Sequence, residues 1–198
     1  MNGAQEGLLL VQPVFPEMRL CVPFIVFLDH AMGGSTTDLG QVEAMPYGLH
    51  RYLQAESSHF ITFRCYHRLP YTADSASKDL TEQILERTRH GHEARIYAYV
   101  LMPEHVHLLI NEPPAIVLGQ FLRSFKQEVF RKLKGDRRQF WESRYLDWNI
   151  RGDEAFSELV EYIHRNPVKR GLVPGSTDYR WCSLNHYATN TGGTVEIE

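Results

Sequence analysis

Two strand-like runs, ARIYAYVLM at 94–102 and HVHLLINE at 105–112, are separated only by Pro103 and Glu104. So short a connection implies an antiparallel hairpin or a bent pair, and the rest of the fold must be arranged around it. Upstream, HFITFRCY (59–66) is rich in β-branched and aromatic residues and reads as a strand. Between these runs Leu80, Ile84 and Leu85 mark a helical stripe over 76–90, with Gly91 placed to end it. Downstream, Leu118, Leu122, Phe125, Val129 and Leu133 recur every three or four residues, the mark of a long amphipathic helix closed by Gly135. FWESRYLDWNI (140–150) reads as a further strand, in which Trp141 or Trp148 should be buried. A last helix is expected from a cap at Asp153, with Phe156, Leu159, Val160 and Ile163 on its apolar face and Pro167 as its stop. The order strand, helix, strand, strand, helix, strand predicts a ferredoxin-like α+β fold: an antiparallel sheet with helices on one face, followed by a terminal helix.

The first 44 residues differ from the remainder. They mix Gly and Pro with short apolar bursts, show no sustained period, and include the linker-like GGSTTDLG. We read 1–44 as a poorly ordered extension, 45–190 as one domain, and 191–198 as a flexible tail. The longest apolar run, LCVPFIVFL (20–28), contains a proline and is too short to span a bilayer. Three scattered cysteines, Cys21, Cys65 and Cys182, give no disulfide framework. The expectation is a soluble cytoplasmic protein without a membrane partner.

A net charge of -3 looks unsuited to nucleic acid until it is divided along the chain. Residues 1–44 carry five acids and one base, so the remainder sums to +1. Arg123 to Arg144 holds eight bases against three acids, and local charge is what meets a phosphate backbone. Arg123, Lys126, Arg131, Lys132 and Arg144 are candidate DNA contacts. A solvated helix face would look the same. Phe140, Trp141, Tyr145 and Trp148 are available for stacking bases, although alternation in this stretch should send some of them into the core.

Two constellations can carry chemistry. His105 and His107 alternate on a strand, so both imidazoles face one side and make half a metal site. With 10 His in 198 residues, about half a His-x-His pair is expected by chance, so the pair alone is a weak signal. In EYIHRNPVKRGLV (161–173), Asn166 lies one helical turn beyond Tyr162 and on the same face, although Pro167 follows it directly. A tyrosine at the rim of a core would read the same way.

Together these runs resemble the single-tyrosine HUH transposases. YVLMPEHVHLLI is similar to the HUH strand, and YIHRNPVKRGLV to the tyrosine helix of the REP-associated tyrosine transposases. HFITFRCYHR, SFKQ and FWESRYLDWNI agree in the same order, so the resemblance covers about Met45 to Tyr187. It implies that Tyr162 is a nucleophile, that His105, His107 and Asn166 hold a divalent ion, and that the substrate is single-stranded DNA with hairpins near the cut. It further implies Mg²⁺ or Mn²⁺ as cofactor and a monomer or homodimer. Lys169 and Arg170, just past the tyrosine helix, are placed to touch DNA close to the cut. A hairpin-binding module without turnover is the alternative. A zinc hydrolase would need a general base, and Glu104, if on the strand, should point away from His105.

Overall fold

A computed structural model describes residues 58–151, 153–189 and 192–198, with the backbone of two short strands, β1 (Glu43–Ala44) and β2 (His50–Arg51). The chain divides into a unit Met1–Asp38 and a unit Leu39–Glu198, and every described residue belongs to the second. Apart from β1, the expected extension at 1–44 lies outside the described residues.

The main sheet has four strands, β3 (Ser58–Cys65), β4 (Ile96–Leu101), β5 (His105–Asn111) and β6 (Trp141–Ile150). Their order is β4-β5-β3-β6 and every pairing is antiparallel. With helices α1 (Ser75–Gly91) after β3 and α2 (Leu118–Leu133) after β5, this is the expected ferredoxin-like arrangement. The β4–β5 connection is the anticipated hairpin, closed by the Met102 N–H donating to the His105 carbonyl at 2.9 Å. Its tip is clamped from below. Thr72 donates through its hydroxyl to the Met102 and Pro103 carbonyls, both at 2.9 Å, and the Cys65 N–H donates to the Glu104 carbonyl at 2.8 Å.

Alternation sorts the side chains onto two faces. One face sends Ile61, Phe63, Val106, Leu108 and Ile110 against Ile84, Leu85, Phe121, Phe125 and Val129 of α1 and α2. Trp141 of β6 joins this core, whereas Trp148 is half exposed. The other face is also used. Phe60, Ala98, Val100 and Leu109 pack against Ile163 and neighbours on α3 (Asp153–Lys169), so helices cover part of both faces. The second layer forms because α3 carries its own apolar stripe, and β4 and β5 offer it one. His164 locks α3 in place through a 2.8 Å hydrogen bond between its Nε2 and the hydroxyl of Ser183, in a segment that also pairs with β4.

Three local expectations are corrected. Pro167 does not stop α3, which continues to Lys169. The stop is Gly171, at φ +67°, where the Leu172 N–H donates to the Pro167 carbonyl and the Gly171 N–H to the Val168 carbonyl. That is the double closure of a Schellman motif, and its left-handed residue favours glycine. Gly91 is the last residue of α1, but the left-handed closure expected of it falls two residues later. The same closure runs from Ala94 to Arg89 and from Glu93 to His90, with Glu93 in the left-handed conformation at φ +51°. Residues 192–198 are packed rather than free: Val195 and Ile197 enter the core, and the Glu198 N–H donates to the Ile96 carbonyl. Two apolar residues at alternate positions supply an edge segment with one buried face. A short α4 (Leu184–Thr189) precedes this segment.

The two helix stops make opposite predictions. Glu93→Gly should raise stability by roughly 0.5–1 kcal/mol by removing the Cβ penalty of the left-handed conformation, and Gly171→Ala should lower it by about as much. Urea midpoints of both variants, at unchanged slope, check this. Loss of stability in Glu93→Gly would show that the Glu93 side chain contributes more than its backbone costs.

Candidate active site

The pleat of β5 directs His105 and His107 to the α3 side of the sheet, opposite α1 and α2. Their Nε2 atoms face each other at 3.1 Å. Each ring is held from behind. The His105 Nδ1 lies 3.2 Å from Glu104 Oε1, and the His107 Nδ1 lies 2.7 Å from the hydroxyl of Thr62, its cross-strand partner on β3. A carboxylate only accepts, so His105 carries its proton on Nδ1. If Thr62 accepts from His107 in the same way, both Nε2 lone pairs point into one small space. Two lone pairs in apposition repel, and a cation between them would relieve the repulsion. Burial holds His107 well below the ordinary histidine range, with His105 and Arg64 acting in the same direction. It is therefore neutral, the form that metal binding requires.

Tyr162 reaches the same place from α3. Its ring meets that of His107 edge-on at 5.5 Å, and Phe60 fills the angle between them, 5.4 Å from His107 and 6.0 Å from Tyr162. Burial raises the phenol above the usual tyrosine value, while a hydrogen bond with Asn166 and the charges of Arg64 and Arg170 pull it down. Asn166 is buried and, despite Pro167, fully helical. The structure thus brings together the four residues singled out from sequence. Among the described residues no group of three or more His, Cys, Asp or Glu side chains could hold a metal; the third donor available here is a carboxamide.

Two residues of the site were not anticipated, and a third, Glu104, is placed differently from the expectation. Thr62 orients His107. Arg64 lies directly across from His105 on β3 and acts electrostatically on both His107 and Tyr162. Glu104 precedes β5 rather than lying on it, so it does not point away from His105 as expected; it touches Nδ1 and accepts from Arg170 at 2.6 Å. The hydrogen bond from His105, helped by Arg170, holds the Glu104 carboxyl below its ordinary value. The one available signal was Arg64 itself, a charge near the end of an apolar strand.

The proposed DNA contacts are divided between two places. Lys169 sits with its ammonium 5.3 Å from the Tyr162 ring centre, and Arg170 is tied to Glu104 beside the site. Arg123, Lys126, Arg131 and Lys132 lie on α2, behind the sheet. Arg123, Arg131 and Lys132 are exposed there, and Arg144 is exposed on β6. Lys126 is partly buried and donates to the Glu142 carbonyl at 2.8 Å.

Comparison with known proteins bears on the family and the fold. The sequence profile of the family described as "Transposase IS200 like" matches residues 54–166, a stretch that includes His105, His107, Tyr162 and Asn166. A Haemophilus influenzae protein named as a REP-associated tyrosine transposase is 26% identical over 121 residues, covering 51% of this chain and 68% of that one. The Escherichia coli REP-associated tyrosine transposase is 30% identical over 107 residues, covering 50% of this chain and 64% of the relative. The solved structure of a REP-associated tyrosine transposase bound to a REP hairpin superposes with a TM-score of 0.62 at 20% identity, over 75% of this chain and 89% of that one.

Lys126 has a measurable signature. Burial lowers its pKa from 10.5 to about 8. The unfolded chain then binds more protons between those two values, so stability should rise as pH climbs from about 8 toward ~10.5. Lys126→Met should flatten that rise. Unfolding midpoints across the range test it, and an unchanged slope in the variant would assign the pH dependence elsewhere.

Proposed function

The chain belongs to the IS200-like transposase family, and on that premise we propose that it cuts and rejoins single-stranded DNA at hairpin-forming repeats, with Tyr162 as nucleophile. The observation that carries this reading is the meeting of Tyr162 with His107 and Asn166, a phenol beside an imidazole pair and a carboxamide.

His105, His107 and Asn166 would hold the divalent ion through two Nε2 atoms and the amide oxygen. The facing Nε2 atoms, each fixed from behind, are suited to this. An amide that gives its N–H to the phenol keeps its carbonyl oxygen for a cation. Two imidazoles and an amide oxygen are softer than magnesium's preferred oxygen cage and tolerate manganese, cobalt or nickel; Mg²⁺ or Mn²⁺ is the proposed cofactor on the family resemblance more than on the ligands. Bound there, the ion would withdraw charge from the oxygens of the scissile phosphate.

The protein's own groups do the rest. A phenol with a pKa near ~10 is a weak nucleophile at neutral pH. The Asn166 hydrogen bond and the charges of Arg64 and Arg170 favour its ionised form, against burial. Attack by Tyr162 Oη on phosphorus would form a 5′-phosphotyrosine and release a 3′-hydroxyl, which takes up a proton as the phenol loses one. One phosphodiester replaces another, so the hydroxyl can later reverse the step without an external energy source. Glu104 supports the metal site instead of serving as a hydrolytic base, because its carboxylate is engaged by His105 and Arg170. A zinc hydrolase is the weaker reading for that reason.

Incubating the protein with labelled hairpin DNA and Mn²⁺, then resolving products on denaturing gels, tests the proposal. A covalent protein–DNA adduct is expected, and Tyr162→Phe should reduce it by ~10³-fold or more. Survival of the adduct in that variant would remove Tyr162 as nucleophile. Cleavage without adduct would favour hydrolysis, and tight binding without cleavage a binding module. Glu104→Gln should weaken Mn²⁺ binding about 10–100-fold, measured by calorimetry, if the carboxylate orients the metal ligand His105.

A further inference from the structure

α3 packs mainly over the half of its sheet face formed by β4 and β5, and its core also takes in Phe60 of β3 and Ile150 of β6. On the other half Leu146 and Trp148 of β6 stand at 52% and 48% exposure. They are on the site face: their register partners are Thr62 and Phe60, and Ile150, further along the same alternation, packs into the α3 core. Thr62 holds His107, and Phe60 is wedged between His107 and Tyr162. The exposed pair therefore begins one strand spacing, about 5 Å, from residues that touch the catalytic groups. Arg64 lies on the same face of β3, and no carboxylate among the described residues pairs with it. An exposed tryptophan with an adjoining apolar contact and a guanidinium unpaired among the described residues suits a flat aromatic ring joined to an anion.

We infer that this uncovered half-face is a track for unpaired nucleotides flanking the bond that is cut, with one base stacked on Trp148 against Leu146 and a phosphate at Arg64. The inference rests on the proposed reaction for its DNA, but not on which residue attacks. Continuity with the site selects the occupant. A strand whose phosphate lies at Tyr162 and His107 would leave the site toward the exposed residues of β6, since α3 packs over β4 and β5 on the other side. Aromatic stacking tolerates any base, so Trp148 would add affinity without reading sequence.

The test compares two DNAs on the full chain by fluorescence anisotropy: a blunt hairpin, and the same hairpin with a single-stranded flank carrying 2-aminopurine. Trp148→Ala should weaken the flanked DNA by about 5- to 100-fold and leave the blunt hairpin unchanged. Trp148→Phe should restore most of the loss, and 2-aminopurine emission should be quenched by wild type and Trp148→Phe but not by Trp148→Ala. Arg64→Ala should show the same preference for losing the flanked DNA. Equal losses on both DNAs, or none, would overturn the track. So would a dimer that becomes a monomer in Trp148→Ala with flank preference intact, since the patch would then join two copies. The adduct assay is run alongside. Flank-selective loss without any wild-type adduct would keep the track and sink the reaction, whereas a normal adduct with unaltered flank preference would do the reverse.

Discussion

The pairing of β3 with β5 is the constraint on which the remainder depends. Those two strands form the centre of the sheet, and their register sets Thr62 opposite His107 and Arg64 opposite His105. A slip of one residue would turn every β3 side chain to the other face. Phe63 would leave the α1–α2 core, and the imidazoles would lose the hydroxyl that fixes one of them. The same contacts that bury Ile61 and Phe63 therefore hold the site in alignment. Stability and chemistry share one set of hydrogen bonds.

The helix that carries Tyr162 depends on that sheet in a different way. α3 is not part of the sheet-and-two-helix layer; it is fastened from outside by Ile163, by His164 on Ser183, and by Arg170 on Glu104. The last contact links the end of α3 to the residue that orients His105. The helix stop at Gly171 thus has a reach beyond its own turn, since it sets where Arg170 lies.

Most of the fold was legible because each element carries a strong period: alternation in 59–66 and 105–111, and three-to-four spacing through α2. That His105 and His107 share a face was legible for the same reason, and that Tyr162 and Asn166 do through helical spacing; grouping the four came from the family resemblance. What stayed hidden was non-local. Nothing in HFITFRCY states which residue of β5 it will face, so Thr62 and Arg64 could not be paired with the histidines. The stop of α3 was misplaced because a proline near a helix end is a local signal, and the closing hydrogen bonds of Gly171 outweigh it. The basic run on α2 was visible as charge, but its position behind the sheet follows only from which stripe of α2 is buried.

Phenol, imidazoles and carboxamide all belong to one chain, placed by a strand and a helix that pack directly on each other. A centre shared between subunits exists only as long as the subunits stay together, and thinning the solution dismantles it. Here the four side chains meet through the packing of α3 on the sheet, so whatever loosens that packing also parts the phenol from the imidazoles.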